Sequence, residues 1–271
     1  MGQRTIVAAI LTPIAIAAIY FGGMVYSSLI ILLLATAAWE YSKLLQKVDY
    51  KPALPLTLSG VILLGVFRSL FQFNYLPAAL TGLIFGAALC HIIQFERGDT
   101  SPAGDFGATL SVLFYVGFLG PFLISLRSLT DGMWWTLMVL PIVWIADTGA
   151  YLVGSAIGKI KFAPKTSPNK TWEGYLASLV FGVLGSLGLL ALYNQVFHAG
   201  LGLSTWEALL LGLVISAFIP LGDLTASLIK RQAGEKDSGG IFPGHGGVFD
   251  RLDSLLWAAP IGYYLILNLF Q

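Results

Sequence analysis

The chain has 271 residues, of which 15 are Lys or Arg and 14 are Asp or Glu, a net charge of +1, while 56% are apolar and the mean hydropathy is +0.80. Charged residues make up 11%, against roughly 25% in a soluble domain. So few charges exclude a soluble enzyme, a disordered chain and a nucleic-acid binder with a basic face, and leave one polytopic integral membrane domain.

A helix crossing a hydrocarbon layer of roughly 30 Å needs about 20 mostly apolar residues. Nine such stretches are predicted, at 5–22, 26–45, 54–73, 75–95, 106–127, 133–154, 174–194, 206–230 and 252–270. The fold class expected is all-α, with about nine transmembrane helices. The first stretch lacks a clear small-residue cleavage site and eight more follow it, so it reads as a helix rather than a secretory leader. Placing the N-terminus in the cytoplasm puts 13 of the 15 basic residues inside. These are Arg4, Lys43, Lys47, Lys51, Arg97, Lys159, Lys161, Lys165, Lys170, Lys230, Arg231, Lys236 and Arg251, with only Arg68 and Arg127 outside. That asymmetry fixes the expected orientation, and a compact chain without long tails points to a bacterial inner membrane. Gly82 with Gly86, Gly154 with Gly158 and Gly182 with Ser186 stand at helical spacing and are expected where helices pack closely. The single cysteine, Cys90, allows no internal disulfide, and His91, His198 and His245 show no zinc spacing.

The charges are uneven. The stretches 147–173 and 223–253 hold 15 of the 29, together with the Pro, Gly, Ser and Asn of non-helical loops. The expected organisation is a scaffold at 1–132, contacting lipid and a second subunit, and a catalytic region at 133–271 with cytoplasmic loops 155–173 and 231–251.

Asp147 sits in mid-span, where a carboxylate is costly without a partner, a cation or a water-filled cavity. The loop after it carries Lys159, Lys161, Lys165 and Lys170, interleaved with Thr166, Ser167 and Asn169. Lysines and hydroxyls at a helix start suit phosphate, although charge alone fits a positive-inside signal or anionic headgroups equally well. Gly154 to Lys159 does not make a P-loop, because only three residues separate the glycines and Ile160 replaces the hydroxyl.

The richest stretch is 223–253. Asp223, Ser227, Lys230 and Arg231 fall on one helical stripe, with Pro220 one turn earlier. A loop with five glycines between 239 and 247 lets the backbone approach a ligand. Asp250, Arg251 and Asp253 then open the last helix. Acids alone repel phosphate, and cations alone do not organise Mg²⁺. Together they fit a nucleoside triphosphate held by Lys and Arg, with aspartates holding Mg²⁺ against its oxygens.

The run Ser227-x-Ile229-Lys230-Arg231-x4-Lys236-Asp237-x-Gly239-x2-Phe242-Pro243-x-His245-Gly246-Gly247-Val248-x-Asp250-Arg251-Leu252-Asp253 resembles the signature of the phosphatidate cytidylyltransferases, or CDP-diacylglycerol synthases, without departure over its 27 positions. Ser167-Pro168-Asn169-Lys170-Thr171-Trp172-Glu173-Gly174 and the Asp147 segment resemble the same family. The match covers about 147–253, and the first half shares only its hydrophobicity. The resemblance implies transfer of CMP from CTP to phosphatidic acid, giving CDP-diacylglycerol and pyrophosphate in phospholipid biosynthesis. It also implies Mg²⁺ (Mn²⁺ standing in), a monovalent cation such as K⁺, a homodimer among membrane lipids, and a site open to the cytoplasm.

On this resemblance Asp223 and Asp250 are expected to bind metal, with Asp147 and Asp253 as second choices and Asp237 beside them. Asp223, Asp250, Lys230 and Lys236 form the expected catalytic set. Lys165, Ser167, Asn169, Lys170, Ser227, Arg231, Asp237, His245 and Arg251 are expected to contact CTP and lipid phosphate. A CTP-dependent polyprenol or phytol kinase is the alternative enzyme, but it needs a base for its hydroxyl acceptor. The spaced aspartates of the CDP-alcohol phosphotransferases are absent, since Asp131-Gly132 runs into Met133-Trp134-Trp135. A transporter would spread charge near mid-membrane in both halves.

Overall fold

The computed structural model of the chain describes residues 2–198, 201–242, 244 and 246–270, with side chains at residue 9 and from residue 11 onward. Its helices are α1 (Gly2–Phe21), α2 (Gly23–Gln46), α3 (Leu54–Phe71), α4 (Leu76–Glu96), α5 (Pro102–Val112), α6 (Phe122–Ser128), α7 (Gly132–Ile157), α8 (Trp172–Gln195), α9 (Thr205–Gln232), α10 (Phe249–Leu252) and α11 (Leu255–Leu265). π-helical turns at Leu113–Phe118 and Ile266–Phe270 continue α5 and α11. Among the described residues β pairing is limited to two isolated bridges, Lys161 with Thr171 and Phe242 with Gly246.

Among the described residues, eight segments are long and apolar enough to span a membrane: Gly23–Gln46, Leu54–Phe71, Leu76–Glu96, Pro102–Ser128, Gly132–Ile157, Trp172–Gln195, Thr205–Gln232 and Phe249–Phe270. They match the second to ninth predicted stretches. The first predicted stretch lies on α1, whose described apolar part is Leu11–Phe21. Two spans are less regular than the sequence pattern suggests. Residues 102–128 pass through the π turn and are interrupted before α6, where Pro121 supplies no amide hydrogen. The last span breaks at Asp253–Ser254, where the Asp253 carboxylate takes the Ser254 amide at 2.6 Å.

The chain divides into two compact units, Met1–Ser125 with Ile229–Leu252, and Leu126–Leu228 with Asp253–Gln271. In the first, α2 packs along α3, α3 on the π turn after α5, α4 on α5, and α10 on α2. Helix α2 buries Leu34, Ala37, Ala38, Tyr41, Leu44 and Leu45 at helical spacing. It stops at Asp49, whose φ is 64°. There the Asp49 amide bonds Gln46 O and the Tyr50 amide bonds Leu45 O at 3.3 and 3.2 Å, a Schellman close. The link into α3 is tied to α5 by side chains. Asp105 Oδ1 accepts from the Lys51 amide at 2.6 Å, and Thr109 Oγ1 accepts from the Ala53 amide at 2.9 Å. Thr109 gives its own proton to the Asp105 carbonyl, so it accepts a second bond from His91 Nε2 at 2.7 Å.

In the second unit α7 and α8 lie side by side through glycines. A Cβ on Gly174 would press on Ala150 O at 2.8 Å, and one on Gly154 would sit 3.4 Å from the Gly174 Cα. Small residues also seat α8 on α9. A Cβ at Gly182 would strike Ser216, and Ser186 Oγ donates to Ala208 O at 2.6 Å. The expected close packing at Gly154–Gly158 and Gly182–Ser186 is therefore present. At Gly82 it is not, since a Cβ there meets nothing within 4 Å.

Candidate active site

Each unit carries charged residues singled out in the sequence. In the second, a cavity of about 690 Å³ opens between α7, α8, the loop joining them and the part of α9 at Pro220 and Asp223. Its charged and polar wall includes Asp147, Lys161, Ser167, Asn169, Lys170 and Asp223, with Tyr151 and Tyr175 beside them. Lys170 Nζ pairs with Asp223 Oδ2 at 2.7 Å, and Ser227 Oγ donates to Asp223 Oδ1 at 3.2 Å. The Asp223 side chain keeps 37% exposure, so the pair faces the cavity rather than the core.

The α7–α8 loop is shaped by its own backbone. Lys161 bridges to Thr171, and the Trp172 amide bonds Ile160 O at 2.9 Å. Thr171 caps α8, its Oγ1 accepting from the Gly174 amide at 3.2 Å. Glu173 Oε1 accepts from the amides of Lys159 and Ile160 at 3.0 and 3.2 Å. The loop is thereby closed into a hairpin that aims Lys161, Ser167, Asn169 and Lys170 at one space. Lys165 is exposed and lies off the cavity wall, so the structure does not bring it together with the other four.

In the first unit α9 ends at Gly234, φ 71°, where the Glu235 amide returns to Lys230 O at 2.8 Å and the Gly234 amide to Arg231 O at 3.1 Å. The chain then turns into the glycine-rich loop around Asp250. Lys230 Nζ reaches Asp250 Oδ1 at 2.6 Å. Asp250 Oδ2 accepts from the Ser238 amide at 2.7 Å, Ser238 Oγ at 3.0 Å and the Gly247 amide at 3.0 Å. The side chains of this pair are only 11% and 5% exposed. Lys236 and Asp237 line a second cavity of about 320 Å³ with Lys43, Lys47 and Ser238. Lys47 is paired to Glu235 at 2.5 Å. Arg231 and Arg251 are exposed, Asp253 takes the Ser254 amide, and His245 lies outside the described residues.

The carboxylates can be tested as cation ligands by counting lone pairs. Among the described residues no three His, Cys, Asp or Glu side chains gather into a metal cage. A carboxylate offers about four acceptor positions. Asp223 uses one on each oxygen, which leaves one free on each. Asp250 Oδ2 takes the Ser238 and Gly247 amides and shares the one Ser238 hydroxyl proton with Glu40, and Oδ1 has a free position beside Lys230. Taken singly, each of the two aspartates fits a cation that takes one carboxylate and completes its shell with water and phosphate oxygens.

Some residues of these sites were passed over in the sequence. Lys161 belongs to the lysine loop but received no role. Glu40 and Ser238 hold Asp250's loop, Glu40 through Ser238 and the Phe249 amide. The signal for Glu40 was the one used for Asp147, a carboxylate within an apolar stretch.

The cytidylyltransferase family model matches residues 2–269. The chain belongs to the cytidylyltransferase family. A phosphatidate cytidylyltransferase of Synechocystis is 32% identical over 98% of this chain and 97% of its own length. One of Bacillus subtilis is 33% identical over 77% of each chain, and one of Staphylococcus haemolyticus 38% over 61% of this chain and 60% of its own. In this cytidylyltransferase the family match reaches through the amino-terminal half, which the sequence reading had tied to the family by hydrophobicity alone.

Proposed function

We propose that the chain is a phosphatidate cytidylyltransferase of a bacterial membrane: CMP passes from CTP to phosphatidate, giving CDP-diacylglycerol and pyrophosphate. The observation that carries the reading is the family match over residues 2–269, joined by the Synechocystis phosphatidate cytidylyltransferase that aligns along 98% of this chain. The phosphate oxygen of the lipid is already an anion and needs no strong base to attack the α-phosphorus of CTP. The barrier is the approach of two anions and the departure of pyrophosphate, so positioning and charge neutralisation supply most of the rate.

Lys161 and Lys170 hold phosphate oxygens in the 690 Å³ cavity, with Ser167 and Asn169 as hydrogen-bonding positioners. Lys170 reaches those oxygens by leaving Asp223. Asp223 and Asp250 are proposed as the Mg²⁺ ligands, with Asp147 as an alternative on the same wall as Asp223. Mg²⁺ held by these carboxylates would lower the charge of the triphosphate and support the leaving pyrophosphate. Lys230, Arg231 and Lys236 are proposed for the remaining phosphate charge, Ser227 for orienting Asp223, and Arg251 for the lipid surface. The loops bearing these residues face the cytoplasm, a reading supported by the 13 basic residues on that side. A homodimer and a monovalent cation belong to the same proposal.

The test uses purified full-length protein with CTP labelled at the α-phosphate. Label passing into the lipid phase and pyrophosphate released only with phosphatidate present bear the reading out. CDP appearing with a polyprenyl phosphate would move the assignment to the kinase.

A further inference from the structure

Glu40 lies on α2 in the first unit and is 1% exposed. A carboxylate withdrawn from water must find donors. Its Oε2 accepts from Ser238 Oγ at 2.9 Å and from the Phe249 amide at 2.8 Å. Those two donors stand at opposite ends of the glycine-rich loop, so one carboxylate oxygen pins both ends.

Ser238 is the junction. Its amide and hydroxyl reach Asp250 Oδ2, and Asp250 Oδ1 takes Lys230. The hydroxyl has one proton and two carboxylates to serve, so Glu40 and Asp250 together set its place. The bare faces of Gly239 and Gly247 complete the seat, because a Cβ on either would strike the Glu40 carboxylate. Next to the pinned amide, the Phe249 ring stacks on Tyr41 at 5.2 Å between centroids and 12° between planes.

We infer that Glu40 is a positioning residue for cytidylyl transfer: it fixes Ser238 and Phe249, and through them holds Asp250 and Lys230 where the phosphates arrive. The inference rests on the cytidylyltransferase reading above. A purely stabilising role accounts for it less well. Glu40 Oε1 is buried without a hydrogen-bond partner, and a bare buried acceptor costs stability. The fold carries that cost while the other oxygen holds the loop.

The experiment uses full-length protein in detergent micelles, with Glu40→Gln, Glu40→Leu, Ser238→Ala and the Glu40→Leu/Ser238→Ala double variant. Glutamine keeps an oxygen able to take both donors; leucine does not. The kcat of Glu40→Leu is expected to fall about 100-fold, the scale on which a small misplacement of reacting groups acts. Glu40→Gln should stay within about fivefold of the unsubstituted chain, and the double variant within about twofold of Glu40→Leu, because coupled residues do not add. Amide hydrogen exchange over 234–250 should quicken in Glu40→Leu and not in Glu40→Gln. Should Glu40→Leu fail to fold, Ser238→Ala removes only a hydroxyl and should lose about tenfold, the worth of one hydrogen bond to a charged group.

An unchanged kcat in Glu40→Leu overturns the inference. So does an equal fall in Glu40→Gln, or losses that multiply in the double variant. An unsubstituted chain that releases no pyrophosphate would sink the functional reading instead, while the exchange comparison still decides whether Glu40 holds the loop.

Discussion

The two units each hold a lysine–aspartate pair of nearly the same length, 2.7 Å for Lys170–Asp223 and 2.6 Å for Lys230–Asp250, in opposite settings. Asp223 looks into a roomy cavity and keeps 37% of its side chain exposed, whereas Asp250 keeps 5% and accepts from three further donors. An exposed pair contributes little to stability and parts easily. A buried one is costly to break on one side only. The same pairing is thus open to a cavity in one unit and enclosed among backbone and hydroxyl donors in the other.

The sharpest way to break this contrast is Asp250→Asn. It leaves Lys230 without its counter-charge, at a cost of about 3–5 kcal/mol for a buried pair. Turnover should vanish and the thermal midpoint should fall together; an unchanged midpoint would show that the enclosed pair is not stabilising. Asp223→Asn comes next. It should abolish turnover, with added Mg²⁺ rescuing little, yet cost only about 0–1 kcal/mol in stability. A large loss of stability there would erase the distinction between the two pairs.

Lys170→Ala should come third, raising KM for CTP or phosphatidate by about tenfold or more as one charge-assisted phosphate contact goes, with the midpoint unmoved. The smallest effects separate two neighbours on one loop. Lys161→Ala should weaken substrate use more than Lys165→Ala, because only Lys161 borders the cavity. The reverse order in steady-state kinetics would mean that the loop is arranged differently when substrate is bound.

Much of this was legible in the sequence because apolar runs of membrane length have few alternatives. Helices from α2 onward fall where the hydropathy puts them, and the breaks before α6 and at Asp253 are local exceptions. Asp147, Lys170 and Asp223 stand out by charge, and Ser167 and Asn169 by their place among the loop lysines and by the family resemblance; one cavity wall gathers all five. Lys165 rather than Lys161 was the expected phosphate contact, whereas the cavity is bordered by Lys161, which is bridged to Thr171, a pairing that composition does not reveal. Glu40 was missed for a related reason: its partners, Ser238 and Phe249, are about two hundred positions away in the chain. The glycines at 239 and 247 were read as room for a ligand, whereas the group that approaches them is the protein's own carboxylate.

That last arrangement binds three distant positions into one unit of inheritance. Any side chain at 239 or 247 collides with Glu40, and a shorter residue at 40 would leave Ser238 and the Phe249 amide without their acceptor. Substitutions at 40 and 239 should therefore travel together among relatives: a lineage that gives up the acid at position 40 becomes free to fill position 239, while position 247 still meets the Ser238 hydroxyl. Within this chain, saturation mutagenesis should find positions 239 and 247 intolerant of replacement while Glu40 is present, with 239 becoming more permissive once residue 40 is small and 247 only once Ser238 is reduced as well.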